Sequence, residues 1–288
     1  MESKIPKRMI FYWGNDEMSW MRYMTLYSFR KLNPDWVMEL YCCRPNDIKQ
    51  KTWKGSEHQD YFMFKGKNYT EKIKELDIGI KEWELHHPDN DNPKWQKEVS
   101  ISQKSNFFKW LELSKDGGMY SDMDILYVKP IDELYDEIKN EDTVLVCDNK
   151  ITFSIGLLAS APNNKFYYDL FMNGFNTVTL KEYQSAGVIN MRDMLGKLPG
   201  NNNRLLEKII TNYKSCYNFG MERVYPWEWN KMNSVFKELH TTLPEKTIGI
   251  HWYAGTEIAQ EYNNLLTEDT FSNYNNTFTH FAKKITGI

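Results

Sequence analysis

Short apolar runs and one stretch with helical spacing open the chain. Residues 8–13 are almost entirely apolar and end at Gly14, residues 17–32 place apolar side chains at helical spacing, and residues 36–41 form a second apolar run. This order predicts a strand, a helix and a second strand. Because a β–α–β opening is typical of a nucleotide-binding sheet, we predict an α/β fold.

The central part of the chain gives the clearest pattern. Apolar side chains recur at helical spacing over residues 100–115, and the glycines of 117–118 are a typical helix end. Two short apolar runs then enclose Asp122 and Asp124. Because side chains alternate faces along a strand, we expect both carboxylates to point the same way, with Met123 opposite.

In the rest of the chain, the pattern of apolar positions is less regular. The pattern predicts helices over 132–139 and 163–175, strands over 143–147, 154–159 and 247–252, and a loop at 184–190 that opens another helix. Residues 44–100 predict a helical excursion from the sheet, with a weak helical pattern over 70–83. We expect one domain over residues 1–288, in which 263–288 is a closing helix or a loosely held tail.

Composition narrows the functional classes. The net charge is −3 with both signs interspersed, which argues against a nucleic-acid or anionic-membrane surface. The sequence contains no long uncharged apolar run, so we predict no membrane span. The first strand is expected to begin too early to leave room for a signal peptide. The four cysteines lack metal-ligand spacing. Together these features predict a reduced, cytoplasmic location.

Asp122 and Asp124 are the first candidates for chemistry. Two carboxylates at a strand end, flanked by apolar runs, are a typical arrangement for a divalent cation whose remaining ligands are substrate phosphates. Such a cation stabilises charge on a departing diphosphate. The alternative is a turn or a solvated strand end, because Asp-x-Asp recurs by chance in chains of this length.

The wider motif resembles a known family. It consists of Lys104-Ser105-Asn106, Lys109, Gly117-Gly118-Met119-Tyr120-Ser121-Asp122-Met123-Asp124 and Lys129-Pro130-Ile131-Asp132, preceded by Ile5-Pro6-Lys7, Trp13-Gly14 and Asn33-Pro34-Asp35-Trp36. These segments resemble the sugar-binding region of retaining GT-A glycosyltransferases with a DXD motif, of the family 32 type. That group includes initiating mannosyltransferases and capsular polysaccharide transferases, and glucosylating bacterial toxins are related to it. The resemblance covers the first 160 residues best.

The resemblance implies a set of metal ligands and donor contacts. It implies that Asp122, Asp124 and His251 hold Mn²⁺ or Mg²⁺; an imidazole suits manganese better than magnesium. It also implies a nucleotide-sugar site with these residues: Tyr12, Trp13, Ser105, Tyr120, Asp122 and Trp252. The alternatives are a structural histidine at the end of a strand for His251 and core packing for Trp13 and Trp252.

The sequence departs from the family pattern on the helix before the motif. Where the family carries Asp and Arg to hold the donor sugar, this chain has Asn106 and Lys109. Asn carries no charge, and Lys is a point charge rather than a bidentate fork. The resemblance assigns both to the catalytic site with Asp122 and Asp124, whereas the alternative places them on a solvated helix face. Trp227 and Trp229 are candidates for an acceptor platform or for the core.

The resemblance implies a metal-dependent retaining glycosyltransferase with a Rossmann-like GT-A fold. It would transfer a hexose from a UDP- or GDP-linked donor to a glycan or to a protein- or lipid-linked hydroxyl acceptor. One alternative is a non-catalytic module that binds sugar nucleotide or glycan through a degenerate site. A sugar-phosphate nucleotidyltransferase is disfavoured, because residues 5–20 lack a glycine-rich basic loop.

Overall fold

The structure is a computed structural model that describes residues 3–14, 17–43, 64–87, 99–147, 153–179, 182, 184–195, 213 and 216–288. Its strands are β1 (Arg8–Trp13), β2 (Val37–Cys42), β3 (Gly79–Glu82), β4 (Gly118–Ser121), β5 (Ile125–Tyr127), β6 (Thr143–Cys147), β7 (Phe153–Ser160), β8 (Cys216–Asn218) and β9 (Gly249–His251). Its α-helices are α1 (Trp20–Leu32), α2 (Ile101–Lys115), α3 (Asp132–Ile138), α4 (Lys165–Thr177), α5 (Val188–Leu195), α6 (Asn233–Phe236), α7 (Glu257–Leu265) and α8 (Thr277–Thr286).

A seven-stranded sheet with the order β3-β2-β1-β4-β7-β6-β8 forms the centre of the fold. Strand β1 pairs in parallel with β2 and β4, and β2 pairs in parallel with β3. Strand β7 is antiparallel to both of its neighbours. The predicted β–α–β opening and the α/β class are therefore confirmed.

Helices cover both faces of this sheet, as alternation along β1 requires. Met9 and Phe11 join one buried cluster with α1 and the C-terminal helix α8. Ile10 and Tyr12 join a second cluster, which contains side chains of α2, α4 and α5. The sheet thus lies between two apolar layers, and α2 lies directly beside the strands that lead to the DXD motif.

A buried ionic cluster joins the start of β1 to its neighbours. The Arg8 guanidinium donates to Glu39 Oε2 (2.6 Å) on β2 and to Glu112 Oε2 (3.3 Å) on α2. It also donates to the Gly117 carbonyl (3.0 Å) at the turn after α2. These bonds fix α2 against the sheet at the end opposite the carboxyl end of β1.

One sequence-based prediction needs correction here, and one open alternative is decided. The helical pattern predicted over 70–83 is wrong in its second half: Thr70–Glu75 is a 3₁₀ helix, but Gly79–Glu82 is strand β3, hydrogen-bonded to β2. Other parts of the predicted excursion, at 44–63 and 88–98, lie outside the described residues. At the C-terminus, the closing-helix alternative holds, because α8 buries Phe278 and is capped by Asn276.

Within the described ranges, no helix combines the length and the apolar character needed to cross a bilayer. All four cysteines are thiols outside disulfides.

Candidate active site

A cavity of about 240 Å³ opens at the carboxyl ends of β1 and β4. In sheets of this kind, ligands bind at that edge. Its lining combines carboxylates, amides, cations and aromatic rings: Tyr12, Trp13, Gly14, Arg22, Ser100, Ile101, Ser102, Ser105, Asn106, Lys109, Tyr120, Asp122, Met123, Asp124, Phe153, Ser154, Ile155, Gly156, Gln184, Val188, Tyr225, His251 and Tyr253.

The two aspartates lie in a turn, not in a strand. Strand β4 ends at Ser121 and β5 begins at Ile125, so the predicted strand alternation does not place them. Backbone bonds hold the turn instead. The Asp122 N–H donates to the Gly156 carbonyl (2.7 Å), and the Asp124 carbonyl accepts from the Trp252 N–H (2.9 Å). Both carboxylates nevertheless line the cavity.

Strand pairing brings His251 to Asp124. Strands β5 and β9 form a separate antiparallel pair in which Ile125 lies opposite His251. The His251 Nε2 atom consequently lies 3.2 Å from Asp124 Oδ1. One ligand atom from each of Asp122, Asp124 and His251 falls within 4.8 Å of the others, which is a geometry able to hold a cation.

Electrostatics keep Asp124 ionised. Burial alone would raise the pKa of this carboxyl, but the neighbouring His251, the Arg22 charge and the Ala254 N–H outweigh it and lower the pKa. The Ala254 N–H donates to Asp124 Oδ2 over 2.9 Å. Asp124 is therefore an anion across the physiological range.

Asp122 is held from the other side by α2 and β4. Its Oδ1 accepts from Tyr120 Oη (2.6 Å) and from Lys109 Nζ (3.2 Å). The Tyr120 hydroxyl also contacts Ser105 Oγ at 2.9 Å. Burial, followed by the Asp122 charge, raises the pKa of Tyr120 well above its usual value, so this hydroxyl remains a proton donor to the carboxylate.

Lys109 lies at the wall of the cavity, beside Asp122. It is not on a solvated helix face, because only 2% of it is exposed. Its Nζ donates to the Ile155 carbonyl (3.0 Å) as well as to Asp122, and lies 4.4 Å from the centre of the Tyr120 ring. Burial lowers the pKa of Lys109, and the Asp122 charge opposes that shift. In this arrangement its ammonium is directed to the DXD carboxylate.

Asn106 lies one helical turn before Lys109 and also lines the cavity. It is buried, so the solvated-face alternative does not hold for it either. A Cβ built on Gly187 would lie 2.8 Å from Asn106 Nδ2 and 2.7 Å from Gln184 Oε1. Two neutral amides therefore approach each other at this wall, where a ligand hydroxyl would find both donors and acceptors.

The expected nucleotide contacts divide into two groups. Tyr12, Trp13, Ser105 and Tyr120 all line the cavity. Trp252 is different, because it is fully buried in the apolar core and does not reach the cavity, so the expectation that it contacts the donor is corrected in favour of core packing. The exposed Trp229 and the partly buried Trp227 do not line the cavity either.

The structure adds residues that the sequence did not indicate. The guanidinium of Arg22 lies 4.9 Å from the Trp13 ring and 5.4 Å from the Trp252 ring. Tyr225 belongs to no recognisable motif, yet its hydroxyl accepts a hydrogen bond from the Gly156 N–H (3.1 Å). For Arg22, the one signal in the sequence was an arginine inside the helix predicted over 17–32. For Tyr225 and Gly156, no sequence pattern indicated a place in the site.

With this geometry in place, comparison with known proteins defines the class. Residues 15–145 match the family model described as "Glycosyltransferase sugar-binding region containing DXD motif". The resemblance to a DXD sugar-binding region is thereby confirmed over these residues, and the match supports glycosyltransferase as the class of enzyme. No curated protein matches the chain in sequence.

Solved structures with similar folds include several glycosyltransferases. The "PaToxG Glycosyltransferase" is 16% identical, with 73% of this chain and 75% of that chain covered and a TM-score of 0.44. Apo GlyE of Streptococcus pneumoniae TIGR4 is 12% identical, with 93% and 64% covered and a TM-score of 0.44. An active-site mutant of LgtC is 11% identical, with 93% and 100% covered and a TM-score of 0.43.

Proposed function

We propose that this chain is a metal-dependent retaining glycosyltransferase of the GT-A type, with one domain over residues 1–288. It transfers a hexose from a UDP- or GDP-linked donor to a hydroxyl of a glycan or of a protein- or lipid-linked acceptor. The observation that carries the proposal is the convergence of Asp122, Asp124 and His251 beside a cavity at the carboxyl edge of the sheet. The cytoplasmic location stays a prediction from the sequence.

The donor set fits a divalent cation. Two carboxylates and one imidazole suit Mn²⁺ better than Mg²⁺, which prefers oxygen ligands. Gly156 leaves open the space beside the ligands, because a Cβ there would lie 2.9 Å from Asp122 Oδ2 and 3.2 Å from His251 Nε2. When bound, such a cation supplies electrostatic stabilisation of the charge on the leaving diphosphate.

The protein's own groups bind and orient the donor. Trp13 and Asn106 line the cavity, and we expect Trp13 to contact the nucleotide base and the Asn106 amide to bind the sugar hydroxyls. Among the described residues that line the cavity, the carboxylates are Asp122 and Asp124, the one lysine is the buried Lys109, and no cysteine is present. No further nucleophile of these types lines the described cavity. We therefore favour front-face transfer, in which the leaving phosphate oxygen accepts the proton of the acceptor hydroxyl.

A non-catalytic module that binds sugar nucleotides is the second candidate. One observation favours this module: the Lys109 ammonium, which the resemblance assigns to the donor sugar, is bound to Asp122 and the Ile155 carbonyl. Hydrolysis of the donor separates the two functions. A transferase releases free sugar slowly from its donor when Mn²⁺ is present, whereas a binding module leaves the donor intact.

The first test replaces Asp124 by asparagine. A panel of UDP- and GDP-hexoses identifies the donor by thermal shift with and without Mn²⁺, because a ligand that binds the folded state raises the melting temperature, and more so the tighter it binds. With that donor, we expect Asp124→Asn to lower Mn²⁺-dependent hydrolysis by at least about 100-fold, since it weakens stabilisation of the leaving group. Asp136→Asn, at an exposed carboxylate on α3, is the matched control. Wild-type hydrolysis by Asp124→Asn would refute the proposal.

A further inference from the structure

The two oxygens of Asp122 have different surroundings. Oδ1 accepts hydrogen bonds from Lys109 Nζ (3.2 Å) and Tyr120 Oη (2.6 Å). Oδ2 lies on the side of Gly156, where a Cβ would be 2.9 Å from Oδ2 and 3.2 Å from His251 Nε2. One oxygen is therefore committed to the protein, and the other is directed toward the imidazole and the open space.

Lys109 fixes this orientation and cannot easily leave it. It is 2% exposed, it also donates to the Ile155 carbonyl at 3.0 Å, and the Tyr120 ring packs against its ammonium. A buried ammonium retains its charge only beside an anion and hydrogen-bond acceptors. Asp122 supplies that anion, so the position of each group depends on the other.

Apart from the His251 imidazole, the ionisable groups that line the described cavity balance in charge. Arg22 and Lys109 contribute two positive charges, and Asp122 and Asp124 contribute two negative charges. A divalent cation that enters alone meets two carboxylates, but also a buried ammonium bonded to one of them. Because this interior site is screened less than a surface, that repulsion is not removed by solvent. The anionic oxygens of a diphosphate reverse the balance.

We propose that Lys109 is a positioning residue that orients Asp122 and cancels its charge, so that a divalent cation binds this chain weakly until a nucleoside diphosphate joins it. The proposal rests on the proposed function, which assigns both ligands to the same cavity. It gives Lys109 a role that differs from a contact with the donor sugar. It also leaves Asn106 as the group on that helix face that is directed to the sugar.

The test measures Mn²⁺ binding by electron paramagnetic resonance, with and without saturating UDP or GDP, after correction for Mn²⁺–nucleotide complexes in solution. For the wild type we expect affinity at least about 10-fold higher with the matching diphosphate, a coupling that must be reciprocal. For Lys109→Met, we expect tighter Mn²⁺ binding without nucleotide and a smaller gain on adding it. Lys109→Arg keeps the charge and should keep the wild-type gain.

Lys165→Met is the matched control, because it removes an ammonium paired with Asp169 on α4, away from the cavity. Identical Mn²⁺ binding by Lys109→Met and Lys165→Met overturns the proposal. If Lys109→Met does not fold, the wild type still decides, because equal Mn²⁺ affinity with and without diphosphate also overturns it. Absence of both Mn²⁺ and diphosphate binding would instead refute the proposed function, and this inference with it.

Discussion

Gly156 shows how one missing side chain shapes the site. Its N–H donates to Tyr225 and its carbonyl accepts from the Asp122 N–H, so its backbone already links two walls of the cavity. A Cβ at this position would lie 2.6 Å from the Tyr225 hydroxyl and 2.9 Å from Asp122 Oδ2. Tyr225 is buried, and Asp122 is partly buried with its Oδ1 bound to Lys109 and Tyr120, so neither neighbour retreats freely.

We expect Gly156→Ala to lower Mn²⁺ affinity in the presence of nucleotide by about 10-fold or more, because a close-packed interior responds to each added methyl group. Isothermal titration calorimetry measures the effect. Gly79→Ala is the control, since its nearest neighbour, the Met38 carbonyl oxygen, would be at an ordinary 3.7 Å. Equal Mn²⁺ affinity in the two variants would show that the space beside Gly156 is not needed.

At the scale of single residues, the sequence predicted which residues belong to the site better than it predicted their contacts. Asp122 and Asp124 could be proposed because a recognisable motif surrounds them. The partnership of Lys109 with Asp122 could not, because it depends on how α2 is rotated against β4. The expectation that Trp252 contacts the donor fails for a related reason, because this residue beside His251 is buried in the core.

Among the described elements, helix α2 carries more of the cavity's polar side chains than any other. Its N-terminus is a capping box, in which Ser100 Oγ accepts from the Gln103 N–H and Gln103 Oε1 accepts from the Ser100 N–H, each at 3.2 Å. The box satisfies N–H groups that the helix itself leaves without acceptors. It therefore fixes where α2 begins, close to the cavity.

We expect Ser100→Ala to lower the free energy of unfolding by about 1 kcal/mol, the usual contribution of such a cap. Urea unfolding followed by circular dichroism gives the value. Ser100→Thr retains a hydroxyl that can cap and should lose less stability. If the alanine and threonine variants are equally stable, the capping bond contributes nothing measurable.

Elements with a strong local pattern were predictable, and those defined by partners were not. The β–α–β opening and α2 follow from periodicity in the sequence. Strand β3 does not, because its four residues are exposed and it exists through hydrogen bonds to β2. The Asp122–Asp124 turn is similar, since backbone bonds to Gly156 and Trp252 hold it rather than strand geometry.

Over the whole molecule, a buried arginine joins the first half of the chain to the second. Arg223 is 2% exposed, and its Nη2 donates to Glu137 Oε1 (2.5 Å) and Oε2 (2.7 Å) on α3. The Tyr217 hydroxyl donates to the same carboxylate at 2.9 Å. Burial alone would raise the pKa of Glu137, but these bonds together lower it below the usual 4.5.

A lowered carboxyl pKa stabilises the fold above the unfolded value, and this contribution is lost as pH falls through the folded value. We expect Glu137→Gln to lower the free energy of unfolding at pH 7 by about 1 kcal/mol, since the carboxylate is partly exposed and screened. The difference from wild type should shrink as pH falls below the unfolded carboxyl's 4.5, and it should vanish once the native carboxylate, whose pKa is lower, is protonated as well. Chemical unfolding at several pH values measures this.

Glu133→Gln, at an exposed position of the same helix, is the control for a lost charge on α3. A stability difference between Glu137→Gln and wild type that persists unchanged at acidic pH would contradict the assignment to the ionised carboxylate.

The pairing of β5 with β9 has a consequence for the protein while it is being made. Asp124 leaves the ribosome well before the strand that ends at His251 is synthesised. Until that strand pairs with β5, the nascent chain has the DXD turn without its imidazole and without the Trp252 and Ala254 N–H bonds that hold Asp124. The complete ligand set therefore forms only after strand β9 has been translated.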